Sequence, residues 1–526
     1  MAKLTIDGVA IEVPDGTRLF DACTQVRGEA LPHFCYHPDL SIAGVCRLCQ
    51  VEIEGAPKLT IACNTVVRDG MVVHTRSERV RRAARQILEM HLINHPVDCP
   101  ICDQAGECGL QDQYMIHGLY ASEVAKSDKV LKLKAQPIGP HVILDKERCV
   151  LCSRCVRFCQ EITKTGELGI FQRGDRAEIG VAPDRQLDNN YSLNTVDICP
   201  VGALTSRDFR FQKRVWLLRS VPSICPGCAT GCNIRIDHEG GQVWRLRPRR
   251  NDAVNGPWMC DTGRLEYKRL HAGDRLSRPL VRRDGELREV EWREAWPELE
   301  QRLTAGKGKL ALANPHQTVE ELWLFKRLAG LFCGEDLTAG CLAGSDAAEG
   351  DQFLLDADRS PNRAALARLG LAARAPAQAA AQAVAGAPVL VYGGDPALAD
   401  PALAAALGAA ELIYFGTRLN ATASRARIVV PLAMWAEKAG LFLNRQGRLQ
   451  ALRAAIARPE TAREDWRFLA ELLTRLGAGP QPATLALLRA EVGAAFGLPA
   501  AQDLDALPAE GLVLAPVTGA PAGGGR

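Results

Sequence analysis

Sixteen cysteines crowd between Cys35 and Cys260 of a 526-residue chain, and no other feature restricts its fold so much. In an exported protein such density would mean disulfides. Here Met1 leads almost at once into "KLTIDGVAIEVPDG", which reads as a β-hairpin rather than an export signal. A chain this long also has core enough to fold without staples, so the cysteines read as metal ligands in a reducing compartment. Composition fits a globular chain of several domains: 47% of residues are hydrophobic, 5% are aromatic, and the net charge is +3. So neutral a balance gives no support for a nucleic-acid partner or a charged membrane surface. No run of about eighteen uncharged apolar residues is present, so no direct membrane insertion is expected.

The cysteines fall into four sets. Cys35, Cys46, Cys49 and Cys63 follow a hairpin (residues 3–13) and a short helix, "RLFDACTQV", and lie on and beyond the loop "LPHFCYHPDLSIAGVCRLCQVEI". Thiolates on a loop beside a small sheet are how ferredoxins hold a 2Fe-2S cluster, although these gaps depart from the plant-type spacing. Zinc is the competing reading, weakened by the wide split of one cysteine pair. Cys23, on the helix pattern, reads as packing.

The second set, in "NHPVDCPICDQAGECG", holds only Cys99, Cys102 and Cys108, one thiolate short of a tetrahedral zinc or a 4Fe-4S cluster. Two histidines stand nearby. "SERVRRAARQILEMHLINH" predicts a helix capped by Ser77 and ended by Pro96, which throws His95 into an extended conformation beside Cys99. His91 lies one turn earlier, where a structural histidine is the default expectation. One histidine with three cysteines suits zinc as well as iron, so the neighbouring sets decide.

The third set, "CVLCSRCVRFCQ", supplies Cys149, Cys152, Cys155 and Cys159, nearly the bacterial ferredoxin run in which the fourth cysteine serves a second cluster. The reciprocal half ends in Cys199-Pro200, but Asn189, Ser192 and Thr195 occupy its other ligand positions. Cys199 therefore completes the first cluster, and Cys159 is left over as a buried small residue. The fourth set is Cys225, Cys228 and Cys232 in "ICPGCATGCNIRI", with Cys260 beyond two strands that turn at Gly240-Gly241. Four sets in tandem outweigh zinc at each.

These motifs closely resemble one family, the large iron–sulfur subunit of bacterial respiratory complex I, the proton-pumping NADH–quinone oxidoreductase. The match rests on the split two-iron set, on "NHPVDCPICDQAGECGLQDQ", and on the one-sided ferredoxin repeat ending "DICPVGALTS". The resemblance implies His95 as the histidine ligand of a 4Fe-4S cluster. It implies one 2Fe-2S and three 4Fe-4S clusters, and an oxidoreductase (translocase) subunit that relays electrons from NADH towards quinone without binding either. No Gly-x-Gly-x-x-Gly follows any strand, so NADH and flavin belong to a partner. The implied partners are the flavoprotein NADH-binding subunit, a small two-iron subunit, and the subunits connecting to the quinone module. The implied location is peripheral, on the cytoplasmic side of the bacterial inner membrane.

From residue 273 cysteine density collapses. "KLALANP", "APVLVYGGDP", "ELIYFGTR" and "ARIVVPL" read as strands alternating with helices such as "TVEELWLFKRLAGLF" and "DPALAAAL", which predicts a doubly wound parallel sheet. The stretch 371–387 reads as a surface helix or loose connection. With the fourth set, this half resembles the molybdopterin oxidoreductase fold, and "EKAGLFLNRQGRLQ" (437–450) resembles the segment those enzymes carry near their cofactor. No molybdenum is expected: Cys333 and Cys341 are followed by Gly334 and Leu342 rather than histidine, and the chain stops before the further cofactor-binding barrel. Alternative readings are the large subunit of an NAD-linked formate dehydrogenase or the iron–sulfur subunit of an NAD-reducing hydrogenase. The fold class is therefore multidomain α+β and α/β. Its expected parts are a β-grasp ferredoxin domain (1–78), a His/Cys3 four-iron domain (79–139) and a ferredoxin-like four-iron domain with a degenerate second half (140–215). A four-iron domain of molybdopterin-oxidoreductase type (216–272), an α/β domain without molybdenum (273–515) and a disordered tail (516–526) follow.

Overall fold

The computed structural model describes residues 1–118, 123–305, 308, 310–334, 339–342, 349–499 and 502–515; the expectation for the tail lies outside them. The chain divides into two units, Met1–Leu218 and Arg219–Arg526, a coarser division than the modules expected above.

In the first unit, strands Ala2–Ile6 and Val9–Val13 pair antiparallel through Asp7 and Gly8, both with positive φ (48° and 85°). That is the geometry a two-residue hairpin needs. Met71–His74 joins Ala2–Ile6 in parallel, and Gln50–Ile53 and Thr60–Ile61 complete a five-stranded sheet. Leu19–Arg27 lies against it, its Leu19, Phe20, Ala22 and Cys23 buried in the same core. The helix Glu78–Leu92 starts where the Ser77 hydroxyl accepts the Val80 N–H and buries Val80, Ala84, Leu88 and Leu92, one residue per turn. It ends three residues before His95, earlier than Pro96 alone requires. Further on, Val142–Leu144 pairs antiparallel with Leu204–Ser206. This pairing closes a long loop and returns Cys199 to the cysteines that follow Leu144.

The second unit begins with three antiparallel strands, Arg219–Ile224, Asn233–Glu239 and Gln242–Pro248; Gly240 and Gly241 form the turn at φ 60° and 78°. Among the described residues its main sheet has eight strands. From Ile428–Pro431 through Glu411–Gly416, Pro388–Tyr392, Leu310–Ala313 and Ala339–Leu342 to Ala372–Arg374 all are parallel, and the hairpin Leu280–Arg283/Glu286–Glu289 adds an antiparallel edge. Both faces are covered: Leu390 and Tyr392 enter one core, Val389 and Val391 the other, the alternation that a strand between two helical layers requires. All four strands expected from the sequence are present, so the doubly wound α/β class is observed. One segment differs: 371–387 contributes the edge strand Ala372–Arg374 and the helix Pro376–Gln382, which buries Ala379. Alanine content hid that strand, because pairing with Ala339–Leu342 rather than intrinsic propensity sets it. No helix among the described residues is long and apolar enough to cross a membrane.

Candidate iron–sulfur sites

In the first set all four cysteines are buried. The Cys35 thiol reaches those of Cys46 and Cys63, and Cys49 reaches Cys63. The hydrogen bond shared with Cys46, then that with Cys63, holds Cys35 well below the usual thiol range, while Cys46 and Cys63 are pushed up by the same bonds. The four side chains are thus gathered within hydrogen-bonding reach of one another. The Phe34 N–H also donates to Cys46 Sγ at 3.4 Å. His91 belongs beside this set rather than the next one: its Nε2 lies 3.4 Å from the Cys46 carbonyl and its ring sits edge-on to Phe34 at 5.0 Å.

The second set is built on the loop after the helix Glu78–Leu92. His95 is buried, and burial, reinforced by Arg148, lowers its pKa to about 4. The Val97 N–H donates to Nδ1 at 3.1 Å, so that nitrogen is the acceptor of the neutral ring and Nε2 carries its proton. Cys102 and Cys108 are buried and Cys99 half-buried; Cys99 Sγ lies 3.1 Å from the Tyr114 hydroxyl. No sequence signal pointed to Tyr114. The loop abuts the third set, since the Gly109 N–H donates to the Pro200 carbonyl at 2.9 Å. A Cβ on Gly202 would stand 2.6 Å from Cys102 Sγ, so only glycine fits there.

Cys149, Cys152, Cys155 and Cys199 line one small cavity of about 20 Å³ with Leu144, Ile179 and Val201. Burial pushes Cys149 and Cys152 up to about 12 and Cys155 higher, so ligation there must displace protons. Cys159 lies away from this cavity. It is fully buried, bonded to the carboxylate of Glu167, which also accepts the Asn189 amide at 2.9 Å and the Thr165 hydroxyl. Asn189, Ser192 and Thr195 therefore form part of a packed polar network where a second cluster's ligands would stand; Ser192 and Thr195 are fully buried.

In the fourth set the Cys225 N–H donates to the Cys232 carbonyl at 2.8 Å, closing the loop on itself. Cys260 caps a short helix, its Sγ accepting the Gly263 N–H at 3.4 Å, and a Cβ on Gly263 would meet Cys225 Sγ at 2.9 Å. The 437–450 segment grips this loop: Asn444 Nδ2 donates to the Thr230 carbonyl (3.0 Å) and Gln450 Nε2 to that of Gly231 (3.0 Å). At its start Lys438 is buried, its ammonium on Glu321 at 2.8 Å and Asp465 at 3.0 Å. Cys333 and Cys341 pack in the apolar core of the large sheet.

Among the described residues no three His, Cys, Asp or Glu side chains converge on one point to hold a single metal ion. The third set rings a space instead, and glycine backbone packs directly on the sulfurs of Cys102, Cys225 and Cys260, where a Cβ would crowd them. The donor sets fit iron–sulfur clusters, whose thiolate ligands surround several irons.

Comparison with known families gives the same class. Residues 1–78 match a 2Fe-2S iron-sulfur cluster binding domain, 85–123 the NADH-ubiquinone oxidoreductase-G iron-sulfur binding region, and 139–205 the ferredoxin-like domain of NADH-quinone oxidoreductase subunit 3. Residues 218–272 match the molybdopterin oxidoreductase Fe4S4 domain, and 275–356 with 399–475 the molybdopterin oxidoreductase family. The chain thus carries domains similar to 2Fe-2S and 4Fe-4S cluster-binding domains, joined to one similar to the molybdopterin oxidoreductases. More particularly, it is related to the large iron–sulfur subunit of NADH-quinone oxidoreductase, known as the G or 75 kDa subunit. The G subunit of the Rickettsia conorii enzyme is 41% identical over 330 residues (62% of this chain, 49% of that one), and that of Streptomyces coelicolor 41% over 333 (62% and 39%). The NADH-ubiquinone oxidoreductase 75 kDa subunit of Reclinomonas americana is 39% identical over 331 (62% and 47%). The chain spans about half the length of these curated relatives or less. A crystal structure of an NAD+-reducing [NiFe]-hydrogenase is 29% identical over 41% of this chain and 91% of its own, at a TM-score of 0.35.

Proposed function

We propose that this chain relays electrons within an NADH–quinone oxidoreductase of the complex I type. The ligands are Cys35, Cys46, Cys49 and Cys63 for a 2Fe-2S cluster, and His95, Cys99, Cys102 and Cys108 for a 4Fe-4S cluster. Cys149, Cys152, Cys155 and Cys199 hold a second 4Fe-4S cluster, and Cys225, Cys228, Cys232 and Cys260 a third. Molybdenum has no place in this reading, because Gly334 and Leu342 rather than histidine follow Cys333 and Cys341. The flavoprotein, the small two-iron subunit and the quinone-module subunits are the partners, on the cytoplasmic face of the membrane.

One observation carries the reading. Cys35 and Cys46 of the first set, Cys108 of the second, and Cys149, Cys152 and Cys199 of the third belong to or pack against a single apolar core with Phe34, Leu88, Leu92 and Val201. Bound clusters supply reversible one-electron chemistry at potentials set by ligand charge, hydrogen bonding and burial. What this chain's residues supply is fixed placement, because tunnelling falls steeply with distance, and a mostly buried surround for the sulfurs. The test is reduction by NADH of the assembly isolated on a tagged chain: electron paramagnetic resonance signals that develop on adding NADH support the relay. Signals that respond only to formate or hydrogen would instead favour one of the enzyme alternatives.

A further inference from the structure

Two arginines share the short helix Arg154–Arg157 that lies between the first and third ligand sets. Arg157 is 7% exposed, and a single nitrogen, Nη2, donates to the carbonyl of Cys35 at 2.6 Å and to that of Cys152 at 3.3 Å. Its Nη1 donates to the Ser41 carbonyl and its Nε to Ser153 Oγ at 3.2 Å. Arg154 repeats the pattern one turn earlier, donating to the carbonyl of Tyr36, next to Cys35, and to that of Ile198 at 3.0 Å, next to Cys199. Every one of these acceptors is a neutral oxygen, whereas a buried guanidinium ordinarily requires a carboxylate.

We propose that Arg157, seconded by Arg154, is a positioning residue for electron passage between the first and third ligand sets, raising both potentials and bridging them by hydrogen bonds. The inference rests on reading those sets as cluster ligands. Thiolate-ligated clusters are anionic and become more so on reduction, so fixed positive charge in a low-dielectric surround favours the reduced form at both sites. The Nη2 bridge provides a hydrogen-bonded route from the Cys35 backbone to the Cys152 backbone. In each transfer one electron leaves one site as the other gains it; no bond is made or broken, and the guanidinium keeps its protons throughout.

The test is a redox titration of the full chain followed by low-temperature electron paramagnetic resonance, on R157Q and R157K. In R157Q the ratio of reduced to oxidised protein at a fixed ambient potential is expected to fall about tenfold for the first and third sets, about 59 mV for a one-electron couple. The second and fourth sets should move less than twofold, and R157K, which keeps the charge, should restore most of the loss. R157Q within twofold of wild type at both sets, or an equal shift at all four, overturns the proposal and leaves Arg157 a brace. If R157Q does not assemble, R154Q takes its place with the same outcomes, and failure of both to assemble also counts for a brace. A wild-type chain without iron signals would overturn the reading of the sets themselves, a result distinct from an unmoved R157Q.

Discussion

Burial makes His95 hard to protonate, and this has a signed consequence. The unfolded ring takes up a proton near its ordinary value of 6.5, the folded ring only near 4. Stability from this group is complete above about pH 6.5 and is lost as pH falls towards 4, a loss of roughly 3 kcal/mol when complete. In the wild-type chain freed of clusters, where the ring is unligated, denaturation midpoints at pH 7 and pH 5 should diverge, and His95→Gln should flatten that difference. As a ligand, the neutral ring leaves the cluster one negative charge short of four thiolates, favouring its reduced state. His95→Cys should therefore retain a four-iron signal at lower potential, and His91→Ala, which touches Phe34 and the Cys46 carbonyl, should leave that signal in place. Loss of the signal in His91→Ala but not in His95→Ala would reverse the assignment. The sequence pointed to His95 through Pro96 and the family motif. It did not indicate that His91 faces the first set, because that contact joins residues 45 positions apart.

At the scale of elements, the strand pair Val142–Leu144/Leu204–Ser206 makes Cys199 a neighbour of Cys149, and the polar network around Glu167 takes in Asn189, a position where an intact ferredoxin repeat would carry a cysteine. Cys159→Ala should leave iron content and all resonance signals unchanged, whereas Cys199→Ala should remove one four-iron cluster. A silent Cys199→Ala together with cluster loss in Cys159→Ala would mean the pairing is wrong. The loop that carries Pro200 also bears Gly202, packed on Cys102. Gly202→Ala forces a Cβ to 2.6 Å from that sulfur and 3.1 Å from Gln104 Cβ, and should cost about 1–3 kcal/mol and weaken the second set's signal selectively. Short turns and capped helices were readable because their signals are local: the hairpin at Asp7-Gly8 and the cap at Ser77 each act within a few residues. The edge strand Ala372–Arg374 and the role of Glu167 were not, because partners distant in sequence create them.

Over the whole chain, two units divide the work. The first gathers three ligand sets around one apolar core, and the second couples the fourth set to the 437–450 segment of an α/β domain. Cys228→Ser, in that fourth set, should weaken assembly while turnover per assembled complex stays near normal; intact assembly with tenfold lower turnover would put this set on the main electron path. The central claim is that the four sets hold iron–sulfur clusters that carry electrons from NADH. It is tested most directly by metal analysis and low-temperature electron paramagnetic resonance of the tagged chain isolated with its partners, before and after adding NADH. The account predicts a brown preparation with one two-iron and three four-iron clusters per chain, no molybdenum, and cluster signals that develop on adding NADH. A colourless preparation carrying zinc, or clusters that stay oxidised in the presence of NADH, would contradict it.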